Sequence, residues 1–321
     1  MRKVLLATTA IVALGGVSAA SADISVSGGA EFKYQTWGGS NSAAANSSAV
    51  DNYTKFKISA STVADNGMTL AAYTMQDSAT NGNFNDFGFS ISDDWGTIGF
   101  EDAESGDAFE TNTDITAEEG YNGSNDATLY YHPTDAQIDA SHVSYLSPNI
   151  NGFQFSVGYS DTGKAEDKTV MGAQYSMSAG DAAITLKYAA QNTGSVSTTT
   201  SDGEDATSMG LVIAMSGVTL TLAQNDTEVK DTSGSVTDDV EASSMSIAYT
   251  VSDALSVQAY TGEADDKIDT SFKFKDTGYG LSYTITPGLS ASLTHNSWDY
   301  TIDSGTADSG TNTAVSLYLS F

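Results

Sequence analysis

Cysteine is absent from this 321-residue chain, so neither a disulfide framework nor a thiolate metal site is available. Arginine is nearly absent as well: Arg2 is the only one, and all bases together number 12 against 41 acids, a formal net charge of −29. A surface of that sign repels phosphate backbones and excludes nucleic acid as a partner. There is no G-x-S-x-G, no H-E-x-x-H, no P-loop and no G-x-G-x-x-G. His132, His142 and His295 are the only histidines. They stand in a background of abundant Ser and Asp, where a chance neighbour is easier to find than a triad. No enzyme is expected. After residue 22 no apolar run approaches the roughly 20 residues a membrane-crossing helix needs. If the chain enters a bilayer it does so as a closed barrel.

What is present begins at the amino terminus. Arg2 and Lys3 precede an apolar stretch from Val4 to Val17, and Ala20-Ser21-Ala22 supplies small residues at the positions a signal peptidase reads. Residues 1–22 therefore read as a cleaved secretory signal, with 23–321 as one mature domain starting at Asp23. The segment removes two bases and no acid. The mature chain carries ten lysines against 41 acids, about −31. Such a surface suits cations and solvent.

Period-two alternation runs through the rest. Ile24, Val26, Gly28, Ala30, Phe32 and Tyr34 fall on one face, and Ser25, Ser27, Gly29, Glu31, Lys33 and Gln35 on the other. Phe56, Ile58 and Ala60 likewise oppose Lys55, Lys57 and Ser59. Similar segments lie near 67–76, 84–92, 96–101, 139–147, 152–160, 169–178, 182–190, 207–215, 217–225, 241–251, 254–262, 272–285, 288–297 and 311–321. That makes about sixteen strands, most of the length a tilted strand needs to cross a bilayer. The last ends on Phe321, with Val315, Leu317 and Leu319 on its apolar face, as a barrel needs if its final strand is to pair with its first.

Connections alternate in length. Asp65-Asn66-Gly67, Asp93-Asp94, Asn149-Ile150-Asn151-Gly152, Ser216-Gly217, Ser252-Asp253 and Thr286-Pro287-Gly288 read as tight turns. Polar stretches over 38–51, 191–206, 226–240 and 298–310 read as long loops. Aromatics such as Tyr53, Phe100, Tyr145, Tyr159, Tyr188, Tyr249, Tyr260, Tyr283 and Tyr300 sit near strand ends, where interfacial girdles are expected. The fold class expected is all-β, a transmembrane antiparallel barrel exported through the periplasm to a Gram-negative outer membrane. One connection breaks the rhythm: from Asp102 to about Ala140 there is only an acidic loop, and loops of that length are functional or disordered.

Several stretches together resemble the general diffusion porins, most closely those of alphaproteobacteria. They are Asp65-Asn66-Gly67-Met68-Thr69-Leu70, Trp95-Gly96-Thr97-Ile98-Gly99-Phe100, the run from Tyr145 to Tyr159, Pro287-Gly288-Leu289 and the terminal Phe321. The resemblance spans the mature chain. It implies a homotrimer of sixteen-stranded barrels in outer-membrane lipid, passing small hydrophilic solutes and ions. It also implies that the third long loop, after Phe100, folds into the lumen as a constriction carrying Glu101, Asp102, Glu104, Asp107, Glu110 and Asp114. Basic side chains would face it from the wall, and alternation puts Lys33, Lys55 and Lys57 on the lumen face beside Glu31. Phe321 would serve as the assembly signal. The chain departs from the family pattern at Ser144, where a wall arginine is common, and at Glu101, where glycine is common. Both make the opening less positive, so a cation preference is expected.

No cofactor is expected beyond loosely bound Ca²⁺ at acid pairs such as Asp93-Asp94, Asp238-Asp239 and Asp265-Asp266, none of which has the spacing of a dedicated loop. A substrate-specific outer-membrane channel is the alternative within transport. A secreted or surface structural β protein is the alternative outside it, although the fixed short repeat of a solenoid is not visible.

Overall fold

The computed structural model of the chain describes residues 22–39, 47–78, 84–103, 109, 141–160, 167–193, 203–231, 233–268, 273–302 and 306–321. They form β1 (Asp23–Gly39), β2 (Ser47–Val63), β3 (Thr69–Asp77), β4 (Phe84–Asp93), β5 (Gly96–Ala103), β6 (Ser141–Leu146), β7 (Phe153–Ser160) and β8 (Lys168–Ala179). The second half holds β9 (Ala182–Thr193), β10 (Gly203–Met215), β11 (Val218–Lys230), β12 (Val236–Ser252), β13 (Leu255–Asp266), β14 (Lys273–Thr286), β15 (Leu289–Ile302) and β16 (Thr306–Ser320). Each strand pairs antiparallel with its sequence neighbours, and β1 pairs with β16, so the sheet closes on itself and has no free edge.

The chain end completes the closure. Gly28 and Phe321 exchange backbone hydrogen bonds of 2.9 and 3.0 Å. A Cβ on Gly28 would lie 2.8 Å from the Phe321 ring and 2.6 Å from the Lys55 carbonyl oxygen. The glycine is the space the terminal aromatic folds into.

Alternation becomes an inside and an outside. Ile24, Val26, Phe32, Tyr34, Val315, Leu317 and Leu319 stand exposed on the outer surface, with Phe32 paired to Leu317 and Tyr34 to Val315 across the closing seam. At about 3.4 Å per residue and a tilt of about 40°, the run from Ile24 to Tyr34 gives an apolar band roughly 25 Å tall. The inner face is mostly small or polar, with Ser156, Ser208, Asn225, Asn296 and Asn312 all buried on it, and Val170, Val240, Phe274 and Trp298 buried there as larger apolar exceptions. Two of the aromatics expected in the girdles turn inward instead. Tyr53 pairs with Glu31 on the lumen face, and Tyr260 is buried there, donating to Asp276 at 2.6 Å. Residues near a strand end share the strand's parity, and parity rather than position in the chain sets the face.

The expected tight turns are all present on one rim. At Asn151-Gly152 (φ 55° and 92°) and Ser216-Gly217 (φ 52° and 82°) both central residues are left-handed, the backbone twist that joins two strands without splaying them. A further turn at Gly180-Asp181 joins β8 to β9.

On the opposite rim the strands outrun the sequence expectation. Within 226–240, expected as a loop, β11 continues to Lys230 and β12 begins at Val236; within 298–310, β15 reaches Ile302 and β16 begins at Thr306. The polar stretches over 38–51 and 191–206 also contain strand, from Ser47 onward and at both ends respectively. Apolar alternation marks a strand only where one face meets lipid. Beyond that level the ladder continues with two polar faces, and cross-strand charges support it. Lys230 pairs with Asp205, Lys267 with Asp226 at 2.9 Å and Asp239 at 3.0 Å, and Lys273 with Asp265 at 3.2 Å. At the tip between β11 and β12, the Asp231 carboxylate accepts the Ser233 hydroxyl at 2.6 Å and the Ser233 and Ser235 amides at 2.8 and 2.9 Å. The Ser233 hydroxyl first, then these amides, hold its pKa below the usual value.

The rim is uneven. Among the described residues β5, β6 and β7 have 8, 6 and 8 residues against 17 for β1 and β12, so the described wall is lowest where the long acidic loop leaves. The register between β5 and β6 shifts between Phe100 and Ala103, at that departure point.

Candidate functional site

The lumen wall of β1 and β2 is the basic face expected there. Lys33 lies opposite Asp51, Lys55 opposite Gly29, and Lys57 opposite Ser27, so all three lysines share the inner face with Glu31. Lys33 is buried; beside it the Gln35 amide donates to the Asp51 carboxylate. The Lys57 ammonium sits 4.0 Å from the centre of the Tyr73 ring, a cation–π contact worth about 0.5–1 kcal/mol when exposed. Tyr73 in turn covers Gly88, where a Cβ would meet its ring at 2.4 Å. The small residue on β4 lets the tyrosine lie flat against the wall and hold the lysine with it.

Two further lysines belong to the lumen and were not anticipated. Register places Lys187 of β9 beside Gln174 and Gly210, and Lys168 of β8 beside Ser160 and Thr193, all on the inner face. The signal was available, since Ile184, Leu186 and Tyr188 alternate with Lys187. In a sixteen-strand ring β8 and β9 lie across from β1 and β2. Positive charge therefore lines both sides.

Between these walls the structure describes one residue of the long loop, Phe109. It is buried against Val170 of β8, Ala189 of β9 and Ala206 of β10, with Leu146 of β6 alongside. The fit is close. A Cβ on Gly172 would come within 2.7 Å of the Phe109 ring. Val170, Gly172, Ala189 and Ala206 are all inner-face positions, so Phe109 lies inside the barrel, in a socket of small side chains. Sequence reasoning concentrated on the charges of this loop and missed Phe109, the described residue that packs it against the inner wall.

Glu101 and Asp102 lie within β5 by backbone; their side chains, and Glu104, Asp107, Glu110 and Asp114, fall outside the described residues. Ser144 is buried on the inner face between Gly99 and Gly158, so the position where an arginine could have reached the lumen holds a hydroxyl. Of the acid pairs considered for Ca²⁺, Asp238-Asp239 lies in β12 rather than in a loop, and Asp239 and Asp265 face lysines. Among the described residues no three acidic or histidine side chains come together to hold a metal ion. The first cause of the raised Lys267 pKa is its hydrogen bond to Asp226, and the second is that to Asp239. His295 points outward, 2.8 Å from the Thr313 hydroxyl and packed on the Tyr279 ring; His132 falls outside the described residues.

A family model described as Gram-negative porin matches residues 7–303. No curated protein matches the sequence. Among solved structures, the anion-selective porin from Comamonas acidovorans is similar at TM-score 0.66 and 12% identity, covering 94% of this chain and 100% of that one. The in-vitro folded trimer form of OmpT from Vibrio cholerae gives 0.67 at 10%, covering 94% and 100%. A mutant Rh. blastica porin gives 0.62 at 16%, covering 93% and 100%.

Proposed function

Because this chain belongs to the Gram-negative porins and forms a diffusion channel in the outer membrane, we propose that it passes small hydrophilic solutes and ions passively, prefers cations, and works as a homotrimer. The observation that carries the pore reading is the closed sheet with an apolar outside and a hydroxyl- and amide-rich inside. Nothing in it calls for turnover; size and fixed charge do the sorting.

The cation preference rests on the balance at the narrowest point. Lys33, Lys55, Lys57, Lys168 and Lys187 line the walls, yet Lys33 is buried and Lys57 is drawn onto Tyr73, so neither ammonium reaches far into the stream. Against them we set Glu101 and Asp102, at the end of β5 where the long loop leaves, and the loop acids Glu104, Asp107, Glu110 and Asp114. Fixed charges within a Debye length of about 8–10 Å act on a passing ion, and those on the outer rim do not. The Comamonas relative is an anion-selective porin.

The trimer is supported by the low wall. A strand of 8 residues such as β5, tilted at about 40°, rises only about 20 Å, short of the apolar band. Phe87, Phe89, Val143, Phe153 and Val157 are exposed along this side. A neighbouring copy covers such a wall better than lipid of fixed thickness, and the trimer form of the Vibrio protein offers the arrangement.

The test is the reversal potential across a KCl gradient. A cation-selective wild type is expected. Replacing Glu101, Asp102 and Glu104 by Gln, Asn and Gln should move it toward zero, while neutralising Asp238 and Asp239 in β12 should barely move it. An anion-selective wild type would end the cation reading and leave the pore intact; absence of any conductance would end both.

A further inference from the structure

Resting on the pore reading, we propose that the lumen wall formed by β13 to β16 and β1 carries a binding trough for a small, uncharged polyhydroxylated solute, a sugar or polyol of monosaccharide size. Two adjacent rows of inner-face residues build it. One runs straight across five strands from Gln35 through Ala314, Thr294 and Gly280 to Gln258; the row beside it holds Lys33, Ser316, Ser292 and Ser282. The first row is alanine, threonine and glycine between two long amide side chains, Gln35 and Gln258, and the second is three serines beside Lys33. A floor of small residues between taller ends is a recess, and its volume is about 240 Å³. Pockets for drug-sized ligands begin near 300 Å³, so this one fits a smaller guest.

Gly280 stands in the same row, between the lining residues Gln258 and Thr294. A Cβ on Gly280 would lie 3.3 Å from the Leu293 carbonyl oxygen and from the Thr294 methyl, and 3.5 Å from the Gln258 amide nitrogen. A Cβ there would touch the Gln258 amide at ordinary van der Waals distance and would crowd the Leu293 carbonyl and the Thr294 methyl.

The chemistry of the lining selects the class. Hydroxyls of Ser282, Ser292, Ser316 and Thr294, with the Gln258 amide, can each both donate and accept. That is what a polyol presents in return, with every hydroxyl able to do both. The charges bordering the trough, Glu31 and Lys33, are of opposite sign, and Lys33 is buried, so neither a cation nor an anion finds a field of one sign. A zwitterionic amino acid is the competing guest, since Glu31 and Lys33 sit two residues apart on the same face; it would have to displace the contacts that bury Lys33.

The experiment is single-channel recording with glucose added to one side, with glycine at equal concentration as the zwitterionic control. The expected result is excess current noise that saturates with glucose and is absent with glycine. Gln258→Leu should weaken the half-saturating concentration about threefold to tenfold, the range one lost hydrogen bond supplies. Gly280→Ala, which crowds the Thr294 methyl beside the trough, should weaken it as well. Both variants should keep the wild-type KCl conductance, which shows that they fold. Should Gly280→Ala fail to assemble, Ser292→Val serves in its place. A glucose effect that rises linearly without saturation and is equal in all variants is viscosity, and it overturns the trough while leaving the pore standing. Saturation by glycine instead of glucose overturns it in favour of the Glu31–Lys33 pair. No conductance at all removes the pore reading, and the trough with it.

Discussion

Ile58 and Lys57 are neighbours in β2 and belong to different solvents. Ile58 pairs with Val26 on the outer face, while Lys57 pairs with Ser27 on the inner one. A basic side chain on the lipid face costs roughly 2–4 kcal/mol near the midplane. Ile58→Lys is therefore expected to lower the yield of assembled barrel in outer-membrane fractions. Lys57→Ile loses only its contact with Tyr73 and should assemble normally with altered ion selectivity. Equal assembly defects would mean that the strand register is wrong. Phe109 tests the opposite kind of contact. Truncating a buried phenylalanine costs about 3–5 kcal/mol in a packed core, but here the loss falls on the attachment of a loop and not on the strand ladder. Phe109→Ala should give wild-type assembly with a larger single-channel current; an unchanged current would show that the socket does not hold the loop in the ion path.

Single strands carry two further tests. β1 and β16 meet through Gly28 and Phe321, and a branched side chain at 28 would meet the Lys55 backbone carbonyl at 2.6 Å and drive the Phe321 ring, 2.8 Å away, from its seat. Gly28→Val should therefore reproduce the insertion defect of a chain lacking Phe321, measured as heat-modifiable barrel in the outer membrane. A Ser25→Val control, elsewhere on the same strand, should insert normally. The hairpin between β11 and β12 responds to pH in a defined direction. The Asp231 pKa is depressed below its ordinary value of 3.8, so its support for the turn is complete above that value and is lost as pH falls through the folded one. The Lys267 pKa is raised above 10.5, so the support of its ion pairs is complete below that value and is lost as pH rises beyond it. Hydrogen-exchange protection of the Ser233 and Ser235 amides should stay constant as acid is added until pH 3.8 is passed. Asp231→Ala should abolish it at neutral pH, and protection falling already near pH 6 would contradict the turn's chemistry.

For the molecule as a whole, net charge and selectivity are separate quantities. The chain carries a formal charge of −29, but on the outer rim Asp205, Asp226, Asp239 and Asp265 are paired with lysines, and fixed charges act on an ion only within about a Debye length. The cation preference should fall steadily between 0.1 and 1 M salt, as the Debye length shrinks from about 10 to 3 Å. A preference that held at 1 M would point to a binding step in place of a fixed field. The low wall of β5 to β7 predicts the assembly: the protein should migrate in detergent as an oligomer that heat converts to monomer. Migration as a monomer without heating would leave that wall to lipid.

Strand number, the inner and outer faces, with the inward parity of Lys33, Lys55 and Lys57, and the tight turns were legible in the chain because each is a local property. A period of two and a glycine in a turn are visible within ten residues or so. The extent of the strands beyond the lipid was not, because there both faces are polar and pairing is held by partners such as Lys267 and Asp226, which only the register of the sheet brings together. The second pair of lumen lysines, the seat of Phe109 among Gly172, Ala189 and Ala206, the inward turn of Tyr260, and the trough from Gln35 to Gln258 also waited for the tertiary structure. Each joins residues tens to hundreds of positions apart. Alternation says which face a side chain takes; only ring closure and register decide what stands beside it and across from it.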